Sequence, residues 1–163
     1  MENPRYHIQI EDNSLVGRYV LLPGDRGRVK RMAKYLEDTK IVGDNREYFT
    51  MTGSLKGVKV SVMSTGMGAP CISIGVEEFR TLGSDTFIRV GTTGAMQSNI
   101  KLGDSIIATA AIRDDGTTDE YVPKQFPAVA DFEVINEMKN AAEMIGNPYH
   151  LGIVQSADSY YGR

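Results

Sequence analysis

The residues best equipped for chemistry in this chain are arginines set beside glycine turns. Phe87-Ile88-Arg89-Val90 is a short apolar run that reads as a buried strand, carries one arginine, and breaks into Gly91-Thr92-Thr93-Gly94-Ala95. A guanidinium in an apolar strand must meet an anion or a carboxylate, because burying it unpaired costs more than the strand gains. The glycines and threonines that follow offer backbone N–H groups and hydroxyls, the donors that a phosphate or a polar sugar accepts. Two readings fit: a ligand floor at the carboxyl end of a strand, or a structural salt bridge beside an ordinary turn. Pro23-Gly24-Asp25-Arg26-Gly27-Arg28 repeats the theme. Strand, glycine turn and helix in that order aim a helix N-terminus at an anion, and Arg28 adds a planar fork of donors suited to phosphate. The plainer alternative is a turn with two solvated arginines. The turn has neither the GxGxxG of dinucleotide sites nor the GxxxxGK of phosphate loops, so neither cofactor is supported. Taken singly, Arg46 reads as an exposed charge and His7 as a polar surface residue.

These side chains need a scaffold, and the apolar periodicity supplies one. Tyr19-Val20-Leu21-Leu22 reads as a strand, and Val29, Met32, Ala33 and Leu36 lie at helical spacing. Glu47 to Thr52 and Val58 to Met63 read as a hairpin joined through Gly53-Ser54-Leu55-Lys56-Gly57. Ser64-Thr65-Gly66-Met67-Gly68-Ala69-Pro70 is a second glycine-rich turn, and Pro70 suits the first residue of a helix that buries Ile72, Val76, Phe79 and Leu82 before Gly83 stops it. Asp85 to Val90 returns to the sheet. Asp104 to Ile112 is a further strand, closed as a turn by Arg113-Asp114-Asp115-Gly116. Asp131 caps an amphipathic helix through Val134, Ile135, Met138, Ala142 and Ile145, which Gly146 and Pro148 end. His150 to Gln155 is the last strand. Tyr6 to Ile10 fits either a short strand or an arm. The alternation predicts an α/β fold, a mixed central β-sheet flanked by helices, in a single domain over residues 1–163.

Bulk properties narrow the function. The chain has 163 residues, 41% hydrophobic and 24% charged, which suits one globular core. A formal net charge of -3 leaves no basic footprint, so nucleic acid is not an expected partner. The one cysteine, Cys71, cannot form an internal disulfide, consistent with a reducing cytoplasm. No signal peptide is expected, and no apolar stretch approaches the ~20 residues of a membrane span.

In their order and context these turns are similar to one family. The chain resembles the hexameric nucleoside phosphorylases from His7 to Tyr161, and within them the uridine branch. Pro23-Gly24-Asp25 with Arg28 looks like the family's phosphate turn. Ser64 to Pro70, continued by Ile74 and Glu77-Glu78, is similar to its signature helix start, and Gly91-Thr92-Thr93-Gly94-Ala95 to the loop under the nucleoside. Arg113-Asp114-Asp115-Gly116 with Phe126-Pro127-Ala128-Val129-Ala130-Asp131-Phe132-Glu133 looks like the uridine rather than the purine branch. The resemblance implies that Gly24, Arg28, Arg89 and Thr92 hold phosphate, with Arg28 and Arg89 as the catalytic pair. Arg46 and His7 would reach the site from a neighbouring subunit, Arg46 to the same anion and His7 to the ribose 5′-hydroxyl. Thr92, Thr93, Gly94 and Tyr160 would line the nucleoside.

The implied reaction is phosphorolysis of a nucleoside, uridine, to uracil and ribose 1-phosphate by a pentosyltransferase. Inorganic phosphate is then a co-substrate and no organic cofactor is needed. Implied partners are the nucleoside, phosphate and further copies of the chain, paired as homodimers within a homohexamer. Alternatives are a purine nucleoside phosphorylase of the same family, or a truncated domain that only binds phosphate or nucleoside. Three departures mark the chain. No Gln follows Tyr160 in Tyr161-Gly162-Arg163, so the base-reading loop is incomplete. The family's acidic ribose-binding segment and terminal helix are absent, so the piece is expected to be the N-terminal portion of the fold. Finally, a monovalent cation such as K+ is held in some uridine enzymes by positions matching Glu47, the Met67 carbonyl and Cys71, and a thiol is a poor ligand for a hard cation.

Overall fold

The computed structural model describes residues 5–162, which group into two compact units dividing between Thr92 and Thr93.

The first unit is built on a five-stranded mixed sheet in the order β2-β3-β4-β1-β5. Its elements are β1 (Tyr19–Pro23), α1 (Arg26–Ala33), β2 (Glu37–Asn45), β3 (Tyr48–Leu55), β4 (Val58–Met63), α2 (Ala69–Arg80) and β5 (Thr86–Val90). β1 lies parallel to both β4 and β5, with Leu21 opposite Val62 and Ile88, and Pro23 opposite Val90. β2, β3 and β4 run antiparallel. Successive side chains of a strand face opposite ways, and the core divides accordingly. Val20, Leu22, Tyr48 and Met63 pack with Phe79, Leu82, Ile8 and Ile10 on one face. Val62 and Phe49 pack with Val29 of α1 on the other. Residues 5–8 form a turn rather than a strand, yet Ile8 and Ile10 are fully buried, so this segment is an arm anchored by two apolar side chains.

β2 went unread in the sequence because it is a polar edge strand. Its first five residues are exposed, and irregularities between Glu37 and Lys40 and between Ile41 and Gly43 interrupt its alternation.

The second unit carries a three-stranded sheet, β7-β6-β8, from β6 (Ser105–Asp114), β7 (Ala128–Val129) and β8 (Tyr149–Ala157). β6 pairs parallel with β8, and α4 (Phe132–Ile145) connects the two edges. Asp131 caps α4 by accepting from the Val134 N–H at 3.0 Å, and Gly146 ends it in the left-handed conformation at φ 68°. The expected turn at Arg113-Asp114 is instead the end of β6. A short helix, α3 (Thr117–Tyr121), follows, its start held by buried Asp115, which accepts from the Thr118 N–H and hydroxyl. The strands and helices therefore form a mixed α/β fold, as the alternation predicts. No helix of the described residues is long and apolar enough to cross a membrane.

Candidate functional site

Because β1, β4 and β5 are parallel, their carboxyl ends and the loops after them emerge along one edge of the first unit's sheet. The loop pairing continues past the strands: Thr65 N–H donates to the Pro23 carbonyl and Gly66 N–H to the Gly24 carbonyl, both at 3.0 Å. Gly24, the Ser64–Gly68 turn and Gly91-Thr92 thus share this edge.

Arg28 and Arg89 converge there. A β-carbon placed on Gly24 would lie 3.2 Å from Arg89 Nη2, 3.8 Å from Arg28 Nη2 and 3.1 Å from the Gly66 carbonyl. Gly24 is thus the open floor of a cradle that any larger residue would start to fill. Arg89 Nη1 donates to the carbonyls of Leu22 (2.9 Å) and Val90 (2.8 Å), and Arg28 Nη1 to the Val90 carbonyl at 3.4 Å. Neither arginine forms an ion pair among the described residues. The salt-bridge reading of Arg89 is therefore excluded within them, and carbonyls aim a guanidinium whose charge they do not cancel. The expected buried strand is only partly covered, and Arg89 itself is exposed in the described chain; partial desolvation of its guanidinium, with the Arg28 charge second, still holds it below the ordinary arginine value. Two like charges side by side, short of a counter-charge, are the electrostatics of an anion site.

The helix N-terminus plays a smaller part than the sequence suggests. α1 begins at Arg26, and Asp25 caps it by accepting from the Gly27 N–H at 2.8 Å, so that donor is already committed. The side chains, more than the helix end, supply the donors.

Arg46 sits at the tip of the tight β2–β3 turn with φ at 52°, in the left-handed region that non-glycine residues enter only when a turn demands it. It is exposed, and Arg26 steadies its turn by donating to the Arg46 carbonyl at 2.6 Å and pairing with Asp44. Thr92 is exposed at the end of the first unit, and no described residue takes its hydroxyl. Thr93, Gly94 and Tyr160 belong to the second unit, all exposed, with Tyr160 edge-on to Tyr161 at 4.9 Å between ring centroids.

His7 is held by a residue that periodicity could not single out. Glu78 of α2 is only 8% exposed. Its Oε1 lies 2.6 Å from His7 Nδ1, and its carboxylate accepts from the backbone N–H groups of His7 (3.0 Å) and Ile8 (2.8 Å). Glu78 stands beside Glu77 in the sequence as one more acid on a helix. Only its buried position shows its role.

Glu47 and Cys71 do meet: burial pushes the Cys71 thiol up, and its hydrogen bond to Glu47 adds to the shift. The Cys71 carbonyl is taken by the Tyr48 hydroxyl at 2.9 Å. A protonated thiol beside a single carboxylate fits a hard monovalent cation poorly. The described residues contain no group of three or more His, Cys, Asp or Glu side chains placed to hold a metal ion.

Comparison with known proteins places the chain in a family. Residues 18–163 match the family model of the phosphorylase superfamily. A uridine phosphorylase of Thermococcus kodakarensis is 49% identical over 160 residues, covering 98% of this chain and 57% of that protein. A uridine phosphorylase of Treponema pallidum is 50% identical over 158 residues, covering 97% and 61%. A guanosine phosphorylase of Halorubrum lacusprofundi is 37% identical over 155 residues, covering 95% and 64%. The chain thus spans somewhat under two thirds of the length of these relatives. The crystal structure of uridine phosphorylase from Vibrio fischeri ES114 superposes with a TM-score of 0.92 at 38% identity, covering 96% of this chain and 65% of that one.

Proposed function

The chain belongs to the phosphorylase superfamily, and from that premise we propose that the protein is a pentosyltransferase that cleaves uridine with inorganic phosphate, giving uracil and ribose 1-phosphate. One observation carries the reading: the guanidiniums of Arg28 and Arg89 converge over Gly24 with no carboxylate to neutralise them among the described residues. A phosphate dianion is the natural occupant of such a cradle.

The chemistry then follows from position and charge. Phosphate lies beneath C1′ of the nucleoside. One of its oxygens bonds to C1′ as the C1′–N1 bond breaks, and the bonding electron pair leaves with the base. The departing uracil anion recovers its proton from solvent. Arginines do not deprotonate, so Arg28 and Arg89 keep a fixed charge on the phosphate while the sugar passes through an oxocarbenium-like state. In this reading Thr92 completes the phosphate shell, and Thr93, Gly94 and Tyr160 line the nucleoside. Arg46 reaches the phosphate, and His7 the ribose 5′-hydroxyl, of a neighbouring copy. The functional unit is therefore a homodimer, repeated in a homohexamer, and it works in the cytoplasm. No step passes through a monovalent cation. The 37% identical guanosine phosphorylase supports one second reading, in which the base is a purine.

The test is turnover of uridine and guanosine, with and without phosphate, by the full-length protein and its Arg89→Ala variant. Phosphate-dependent release of uracil, lowered about a hundredfold or more in the variant, is expected. Unchanged turnover in Arg89→Ala would overturn the reading, and a preference for guanosine would move it to the purine reading.

A further inference from the structure

We propose that Glu78 is a positioning residue that fixes His7 as a hydrogen-bond acceptor, presenting the Nε2 lone pair to a ribose 5′-hydroxyl. The proposal rests on the reading that His7 serves the ribose of a neighbouring subunit's site. It goes beyond that reading by stating which proton the ring carries and what holds it there.

The geometry is specific. Glu78 is a buried carboxylate on α2, and the residues it touches, His7 and Ile8, lie 71 and 70 positions earlier, in the arm that precedes β1. Oε2 accepts from the Ile8 N–H at 2.8 Å and the His7 N–H at 3.0 Å. Oε1 accepts more weakly from the same His7 N–H at 3.1 Å and lies 2.6 Å from His7 Nδ1. A carboxylate that receives backbone donors is an acceptor only, so the proton between Oε1 and Nδ1 belongs to the ring nitrogen. A neutral imidazole has one N–H. With it committed at Nδ1, Nε2 carries the lone pair.

The rest of the arm holds the ring in that pose. The His7 carbonyl accepts from Asn45 Nδ2 at 2.7 Å, and the ring meets Tyr48 and Tyr6 edge-on with centroids 6.4 and 5.1 Å away. Ile8 and Ile10 anchor the arm in the core. The His7 side chain nonetheless keeps 32% of its surface exposed, and Nε2 has no hydrogen-bond partner among the described residues. A buried acid that directs one face of a histidine while the other stays open is how proteins fix a tautomer for use elsewhere.

Glutamine at position 78 gives the discriminating variant. Its carbonyl takes the place of Oε2 under the two backbone N–H groups, which leaves its NH₂ facing Nδ1. The ring must then accept at Nδ1 and carry its proton on Nε2. Two measurements on the full-length protein test this. The first is the ¹⁵N spectrum of the neutral His7 ring. A protonated Nδ1 and a lone-pair Nε2 are expected, and the opposite tautomer overturns the proposal even if Glu78→Gln does not fold. The second is the ratio of kcat/KM for uridine to that for 5′-deoxyuridine. The wild type should prefer uridine about tenfold, the worth of one hydrogen bond. His7→Ala should abolish the preference, and Glu78→Gln should reduce it at least threefold without changing assembly. A full preference in Glu78→Gln, with none in His7→Ala, overturns the role of Glu78 alone. A full preference in His7→Ala overturns the ribose role of His7 and the proposal with it.

Discussion

Arg89 donates to two carbonyls and stands beside Arg28, and in the proposed reading the absence of a carboxylate partner among the described residues leaves the pair open to phosphate. Repulsion between the two guanidiniums is relieved when an anion enters, so part of the binding energy of phosphate is set by the fold beforehand. Gly24 controls access. Its φ is not in the left-handed region, so Gly24→Ala carries no backbone strain, and the added methyl projects into the cradle at 3.2 Å from Arg89 Nη2. Gly24→Ala should raise the KM for phosphate about tenfold, a loss of ~1.4 kcal/mol. Steady-state kinetics at varied phosphate checks this. An unaltered phosphate KM would mean the anion does not sit over Gly24. The arginine was visible in the sequence as a charge that an apolar strand could not hold for nothing. Its carbonyl partners were not, because backbone acceptors leave no trace in residue identity. Glu78 was hidden for a different reason: the groups it binds lie far away in sequence, and a helix surface is the ordinary place for an acid.

At the scale of elements, the site depends on β1 entering the sheet in register, and Gly17 sets that entry. A β-carbon on Gly17 would lie 2.3 Å from the Lys59 carbonyl oxygen in β4, a contact with backbone that no rotamer relieves. Gly17 N–H also donates to Ser61 Oγ, and its carbonyl accepts from Ser84 Oγ at 2.7 Å, so the close approach is held on both sides. Gly17→Ala should cost roughly 2–4 kcal/mol of stability by forcing β1 from β4. Urea denaturation of the full-length protein measures it, and a change below about 0.5 kcal/mol would refute this account of the strand entry. The elements that apolar periodicity could reach were read: β1, β4, β5 and α2 carry core residues at the expected spacing, and α4 forms where expected, although of its apolar stripe only Ala142 is buried while Met138 and Ile145 are exposed. Those with too little apolar content were not. β2 is polar and bulged, β7 has two residues and α3 five, and each is fixed by neighbours more than by its own pattern.

For the molecule as a whole, the two units share a dependence on ionised aspartates. Asp12 is held below the ordinary carboxylate value first by its hydrogen bond from Ser14, and Asp85 first by the one from Arg18. In the second unit Asp104 is lowered first by the Lys101 N–H and next by His150. A carboxyl lowered in the folded state stabilises the fold fully above its unfolded value, here about 3.8, and loses that contribution as pH falls through the folded one. The melting temperature should thus stay level near neutrality and fall below about pH 4, and Asp104→Asn should fall less steeply. Calorimetry across that range checks it, and an acid-insensitive midpoint would contradict the shifts. Composition alone indicated a chain with the hydrophobic and charged content of a globular domain. It could not show that Gly91-Thr92-Thr93-Gly94, which reads as one loop, runs from the first unit into the second.

The most direct test of the central claim is calorimetric titration of inorganic phosphate into the full-length protein, beside its Arg28→Ala and Arg89→Ala variants. The cradle of Gly24, Arg28 and Arg89 predicts one phosphate per chain, bound more weakly as salt rises, with affinity lowered about tenfold or more in each variant. Equal phosphate affinity in the wild type and both variants would contradict it.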